Sequence, residues 1–216
     1  MTNREQEGPL NNLPYFISWG GEAAALLARA GFDEFIGHDL FGKRLLEIGA
    51  FGGKMSSLFA LLGAEVTGVD MESGFAVSAA AEARIWGVAD RVNFLESPSG
   101  SLSILPNGFF DLAFTKSVLL HIRDLESFMH ELSPKLKPGG RVCFLENPCR
   151  NVLDGWVRNL VHLKQGKPNY DYMNAKRIAA IGRVFDLEIV RLRMNPLFTS
   201  RTPGWYLICG HRRPEP

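Results

Sequence analysis

The chain has 216 residues, 46% hydrophobic and 22% charged, with a formal net charge of +1, which suits one buried α/β core and not two full-sized domains. No run of about 18 apolar residues reads as a membrane span, and the polar N-terminus "MTNREQEGPLNNLP" lacks the apolar centre of a secretory signal. Three scattered cysteines, Cys143, Cys149 and Cys209, give neither a disulfide framework nor a zinc spacing, so the expectations are a cytoplasmic protein, no membrane and no metal.

Charge is divided along the chain. Residues 1–133 hold 9 Lys/Arg against 17 Asp/Glu, and residues 134–216 hold 15 against 6. A basic half can mark a nucleic-acid surface. Here the basic residues stand singly and form no tract, so the expectation is two halves that neutralise each other, with nucleic acid an unlikely partner.

Residues 1–14 read as a flexible tail ahead of a single domain over 15–216. Residues 15–36 ("YFISWGGEAAALLARAGFDEFI") read as helices preceding the first strand. From residue 43 onward, strand-like runs at 43–48, 65–69, 91–96, 110–115 and 140–146 alternate with helical patterns near 54–62, 73–86 and 124–133. Such alternation predicts a parallel sheet with helices on both faces, and the near-continuous apolar strands agree with burial on both faces.

Residues 151–180 follow the fifth strand. Leu153, Trp156, Val157, Leu160 and Val161 recur there at helical spacing. This segment and 15–36 are natural lids beside the carboxyl ends of the strands. The tail ends in two runs, 186–193 and 204–210, separated by about ten residues and expected to pair antiparallel.

The chemistry concentrates in "LLEIGAFGGKMS" (45–56). A strand running into glycines and a helix gathers backbone N–H groups into a site for a carboxylate or phosphate. The dinucleotide pattern G-x-G-x-x-G fails, because Phe51 and Lys54 stand at two of its three glycine positions. Glu47, Gly49 and Gly53 remain. Asp70, ending "VTGVD" 21 residues after Gly49, is placed to accept from both hydroxyls of a ribose, with Ser73 expected to cap the next helix.

In this order and spacing, "LLEIGAFGG", "VTGVD", "VNFLESPSGSL", "FDLAFTKSVLLHI" and "LSPKLKPGGRVCFLEN" resemble the class I S-adenosylmethionine-dependent methyltransferases over roughly residues 40–150. The resemblance implies a Rossmann-like three-layer sandwich, with a seven-stranded, mostly parallel sheet and an antiparallel last strand. It implies S-adenosyl-L-methionine as cofactor and S-adenosyl-L-homocysteine as product. Gly49, Ala50 and Gly53 would contact the methionine portion by backbone, with Glu47 organising it. Asp70 would bind the ribose, and Met71 would pack on the adenine.

The chain departs from the family at two places. Pro98 stands where an acid meets the adenine amino group, leaving Glu96, or Ser97 and Ser99, to hold that edge. Phe51 replaces a small residue, so its side chain must point away from the cofactor, and the tight turn is expected to shift by one residue.

Methyl transfer needs positioning and a dry pocket more than a fixed catalytic set, and a base only where the nucleophile must lose a proton. Beside the reactive methyl the resemblance sets Thr115, Lys116, Ser117 and His121 from strand four, and Glu146 from strand five. His121, Lys116 and Glu146 are the candidate catalytic groups, and Thr115 a cofactor contact. Ser117, Trp19, Tyr170 and Tyr172 are the candidate substrate contacts. The expected function is methylation of an oxygen or nitrogen of a small molecule by a monomer or homodimer. The rivals are an RNA methyltransferase and a non-catalytic cofactor- or partner-binding module.

Overall fold

In the computed structural model, residues 40–146, 156, 159, 160, 163, 164, 170–194 and 204–214 are described. The tail 1–14, the segment 15–36 with Trp19, and most of the lid between 150 and 169 lie outside them.

The strands are β1 (Arg44–Ile48), β2 (Glu65–Asp70), β3 (Val92–Glu96), β4 (Phe110–Lys116), β5 (Leu136–Glu146), β6 (Phe185–Met194) and β7 (Gly204–Arg212). Helices α1 (Lys54–Leu61), α2 (Phe75–Ile85) and α3 (Leu125–Leu132) connect them, and α4 (Ala175–Val184) precedes β6. The sheet order is β3-β2-β1-β4-β5-β7-β6. The first five strands are parallel, and β7 runs antiparallel to both neighbours. Only residues 195–203 separate β6 from β7, too few for the crossover that a parallel pair requires. The expected mostly parallel sheet with an antiparallel last strand is therefore present.

Strand alternation distributes the core between two layers. Leu45, Leu112, Phe114, Cys143 and Cys209 pack with Met55, Leu58 and Phe59 of α1 and Ala83 of α2. The intervening residues Leu46, Ile48, Ala113, Val142, Phe144 and Ile208 pack with Phe128, Met129 and Leu132 of α3 and Ile181 and Val184 of α4. Cys143 and Cys209 are register partners on β5 and β7, buried and unbridged.

Three local expectations change. Ser73 does not cap α2; the cap is Gly74 at φ 81°, with no side-chain cap bond, its N–H donating instead to Glu96 Oε1 at 2.8 Å. β5 begins at Leu136, four residues ahead of the expected start, because Leu136 pairs with Phe110 before a register shift and Pro138-Gly139-Gly140 is absorbed inside the strand. Helix α4 was not anticipated. Asn174 caps it by accepting from Arg177 N–H at 3.1 Å, and Ile178, Ile181 and Val184 form its inner face, so an N-cap and an apolar stripe were both written in the sequence.

Candidate active site

The strand order reverses between β1 and β4, and in open parallel sheets ligands bind beyond the carboxyl ends at such a switch point. Glu47 and the glycine loop end β1, Asp70 ends β2, and Thr115, Lys116 and Ser117 end β4. A second groove, of about 420 Å³ between Asn107, Pro134, Pro138 and Arg212, lies at the opposite end of β5 from Glu146 and is set apart from this convergence.

The loop 49–53 is a tight left-handed construction. Gly49, Phe51 and Gly53 all have positive φ, at 78°, 39° and 71°. Gly49 and Ala50 donate N–H bonds to Val69 O at 2.8 and 3.2 Å, drawing the loop onto β2. A Cβ on Gly49 would overlap Val118 Cγ2, and one on Gly53 would come within 2.8 Å of Ala79 Cα. Both glycines are thus required by contact as well as by φ.

Phe51 does not pass its left-handed turn to Gly52. It adopts the conformation itself, which costs a non-glycine residue about 1–2 kcal/mol. Asp70 Oδ2 accepts the Phe51 N–H at 2.9 Å and Oδ1 accepts the Glu72 N–H at 3.0 Å, offsetting that strain. The Phe51 side chain is 66% exposed, clear of the loop interior as expected. Asp70 thus ties the loops after β1 and β2 together, with the second lone pair of each oxygen available.

Glu47 and Glu146 are both buried, on opposite faces of the sheet. Glu47 accepts a short hydrogen bond from Ser56 Oγ of α1, and burial pushes its pKa up to about 8. Glu146 Oε1 accepts from Thr115 Oγ1 at 3.0 Å, Val118 N at 3.0 Å and Leu119 N at 3.1 Å. Glu146 Oε2 has no hydrogen-bond partner among the described residues, and burial raises this carboxyl to about 7, with its amide donors and Thr115 opposing. Glu146 is fully enclosed, and Thr115 is equally buried and donates to it. The pair clamps the turn after β4.

That turn starts at Ser117, in a left-handed conformation at φ 57°, with its N–H on Leu145 O at 2.9 Å. It continues through the short 3-10 segment Leu119–His121. Arg177 of α4 donates from Nη2 to Leu119 O at 2.6 Å and Ile122 O at 2.8 Å, and Asp171 N–H reaches Leu120 O at 2.8 Å. His121 meets Tyr170 edge to face at 4.9 Å, and Tyr170 meets Tyr172 at 6.2 Å. Desolvation lowers the His121 pKa, and the charge of Asp70 opposes that shift. Tyr172 itself is buried. Val118 of the same turn lies directly against Gly49, so the turn that carries His121 abuts the glycine loop.

Around the loop after β3, Ser97 N–H donates to Asp70 O at 2.8 Å and Gly100 N–H to Ser97 O at 2.8 Å. The Ser97 hydroxyl donates within its own loop, to Ser101 O at 2.7 Å, and Ser99 Oγ accepts from Ser101 N at 3.3 Å. Glu96 holds the start of α2. Met71, 61% exposed, stands with Sδ near Gly100 at the rim of this loop. Ser56, Val118 and Arg177 are the shaping residues that sequence reasoning did not single out. Only Ser56, in the first turn of α1, had a readable signal.

Among the described residues no group of three or more His, Cys, Asp or Glu side chains could hold a metal ion, and no helix is long and apolar enough to cross a membrane.

Residues 46–144 match the family described as "Methyltransferase domain". The chain is 30% identical over 191 residues to a ubiquinone biosynthesis O-methyltransferase of Ralstonia nicotianae, covering 82% of this chain and 79% of that one. It is 30% identical over 168 residues to the same-named protein of Cupriavidus pinatubonensis, covering 73% of this chain and, just under two thirds, 66% of that one. A putative methyltransferase from Bacillus halodurans superposes with a TM-score of 0.70 at 14% identity, over 90% of this chain and all of that one. The chain belongs to the class I S-adenosylmethionine-dependent methyltransferases. Its cofactor is S-adenosylmethionine.

Proposed function

We propose that the protein methylates an oxygen or nitrogen atom of a small-molecule acceptor, working in the cytoplasm as a monomer or homodimer. The observation that carries this reading is the Asp70 carboxylate, which joins the β1 and β2 loops beside the only glycine cradle at the switch point of the described sheet. The names of the relatives favour oxygen as the atom methylated.

The residues present fit the cofactor. Asp70 keeps lone pairs for two ribose hydroxyls, Gly49, Ala50 and Gly53 offer backbone to the amino-acid end, and the exposed Met71 offers an apolar surface to a flat base. Glu96, Ser97 and Ser99 would hold the far edge of that base. When bound, the cofactor supplies a methyl group already activated on a sulfonium. The chain's part is then to align the acceptor in line and exclude water. Glu47 supports the loop floor through Ser56. Glu146 and Thr115 hold the turn from which Ser117 and His121 face the acceptor, and Tyr170 closes the side, with Tyr172 behind it. His121, whose lowered pKa favours neutral imidazole, is available to accept a proton from an acceptor hydroxyl.

Calorimetry with S-adenosylhomocysteine tests this reading. Asp70→Ala removes a charged acceptor from two hydroxyls and should weaken binding by about a hundredfold or more, at roughly 1.5–3 kcal/mol for each of the two charged hydrogen bonds. No heat from the wild-type protein would sink the cofactor site.

A further inference from the structure

Lys116 is the last residue of β4 and shares a sheet face with Leu112 and Phe114, which pack against α1. Alternation therefore directs its side chain to the side of the sheet that holds Glu47 and the start of α1. Two charges act on it from there: Glu47 favours its ammonium and Lys54 of α1 opposes it, while burial lowers its pKa. Lys116 makes no side-chain hydrogen bond or ion pair among the described residues. Glu47 is a poor counter-ion, because Ser56 already holds its carboxyl and burial keeps it largely protonated near neutrality. The Lys116 ammonium, partly desolvated beside a largely protonated acid, is left without a hydrogen-bonded counter-ion of its own among the described residues. Burying such a charge without a partner is unfavourable.

We propose that Lys116 is the carboxylate-binding cation of the active site, receiving a carboxylate that a bound ligand brings to the mouth between β1 and β4. This rests on the methyltransferase reading. Two ligands could bring that group: the cofactor, through the α-carboxylate of its methionine portion, or an acceptor that is itself a carboxylic acid. The lysine then completes the charge of the pocket only when it is filled.

Calorimetry on the full chain separates the sources. The probes are S-adenosylhomocysteine and its decarboxylated analogue, then 4-hydroxybenzoate and phenol with S-adenosylhomocysteine saturating. If the cofactor is the source, the wild type binds S-adenosylhomocysteine at least tenfold tighter than the analogue. Lys116→Gln then removes that gap and leaves the analogue within twofold. If the acceptor is the source, the nucleoside gap does not respond to the substitution. The wild type instead prefers 4-hydroxybenzoate to phenol at least tenfold, and Lys116→Gln abolishes the preference.

Lys116→Arg retains the preference in either case. Should Lys116→Gln fold poorly, Lys116→Met, which keeps the aliphatic stem, serves the same comparison. Preferences that survive Lys116→Gln and Lys116→Met, or a wild type that binds nucleoside yet shows neither preference, overturn the proposal. Failure of the wild type to bind either nucleoside is a different pattern and defeats the cofactor reading itself.

Discussion

Phe51 carries a left-handed backbone at φ 39° that its own side chain does nothing to help, and the cost is met by an N–H bond to Asp70. Gly49 has no such latitude. A Cβ there would overlap Val118 on top of the strain of a positive φ, so Gly49→Ala should destabilise the fold by about 2–3 kcal/mol and weaken S-adenosylhomocysteine binding. Denaturant midpoints and calorimetry check both effects, and a variant as stable as the wild type would mean that Val118 moves aside freely.

The buried acids give a pH dependence with a fixed sign. Their folded pKa values, about 8 for Glu47 and about 7 for Glu146, lie above the ordinary 4.5. The folded chain therefore binds more protons than the unfolded chain between pH 4.5 and 8. Their contribution to stability is full below pH 4.5 and is lost as pH rises through 7 and 8. Glu47→Gln should flatten this fall, shrinking the difference in unfolding free energy between pH 5 and pH 8 by up to a few kcal/mol. An unchanged slope in urea titrations would show that Glu47 ionises normally.

Among the elements, the turn after β4 is held from two sides. Glu146 of β5 takes its amides and Arg177 of α4 takes its carbonyls, so two elements distant in sequence set the position of His121. Arg177→Met keeps much of the side-chain volume but leaves the Leu119 and Ile122 carbonyls without these donors. We expect a loss of about 1–3 kcal/mol in stability and a higher acceptor KM with cofactor affinity little changed. Equal losses for cofactor and acceptor would place the turn in cofactor binding instead. The elements themselves were largely legible: the predicted strands and the first three helices match the observed ones to within a few residues, because alternation and turn residues are local signals. The Arg177 clamp was not legible, since nothing local in "NAKRIAAIGRV" says which carbonyls the guanidinium will meet.

For the whole molecule, one sheet carries both faces of the core, and the site draws on loops after four of its strands. Ligand binding and global stability should therefore be linked. S-adenosylhomocysteine at about 100 times its dissociation constant adds about 2.7 kcal/mol, or a Tm rise of roughly 5–10 °C for a chain of this size. Thermal melts followed by circular dichroism and by tryptophan fluorescence should shift together, and a shift in one probe alone would show that part of the chain unfolds independently of the site.

The sequence alone determined the parallel strand–helix alternation, the antiparallel finish, the exclusion of a dinucleotide loop, and the pairing of the glycine loop with Asp70. Each of these rests on residue types at fixed short spacings, where periodicity, turn chemistry and strand ends are decided. Only the tertiary structure decided that Phe51 itself turns left-handed, and that Glu146 and Thr115 are enclosed as a clamp. It alone brought Lys116 beside Glu47 without a partner of its own. Those outcomes depend on which distant groups share a lone pair or a charge once the sheet has assembled, and hydrogen-bond partners and burial across strands leave no trace in local spacing.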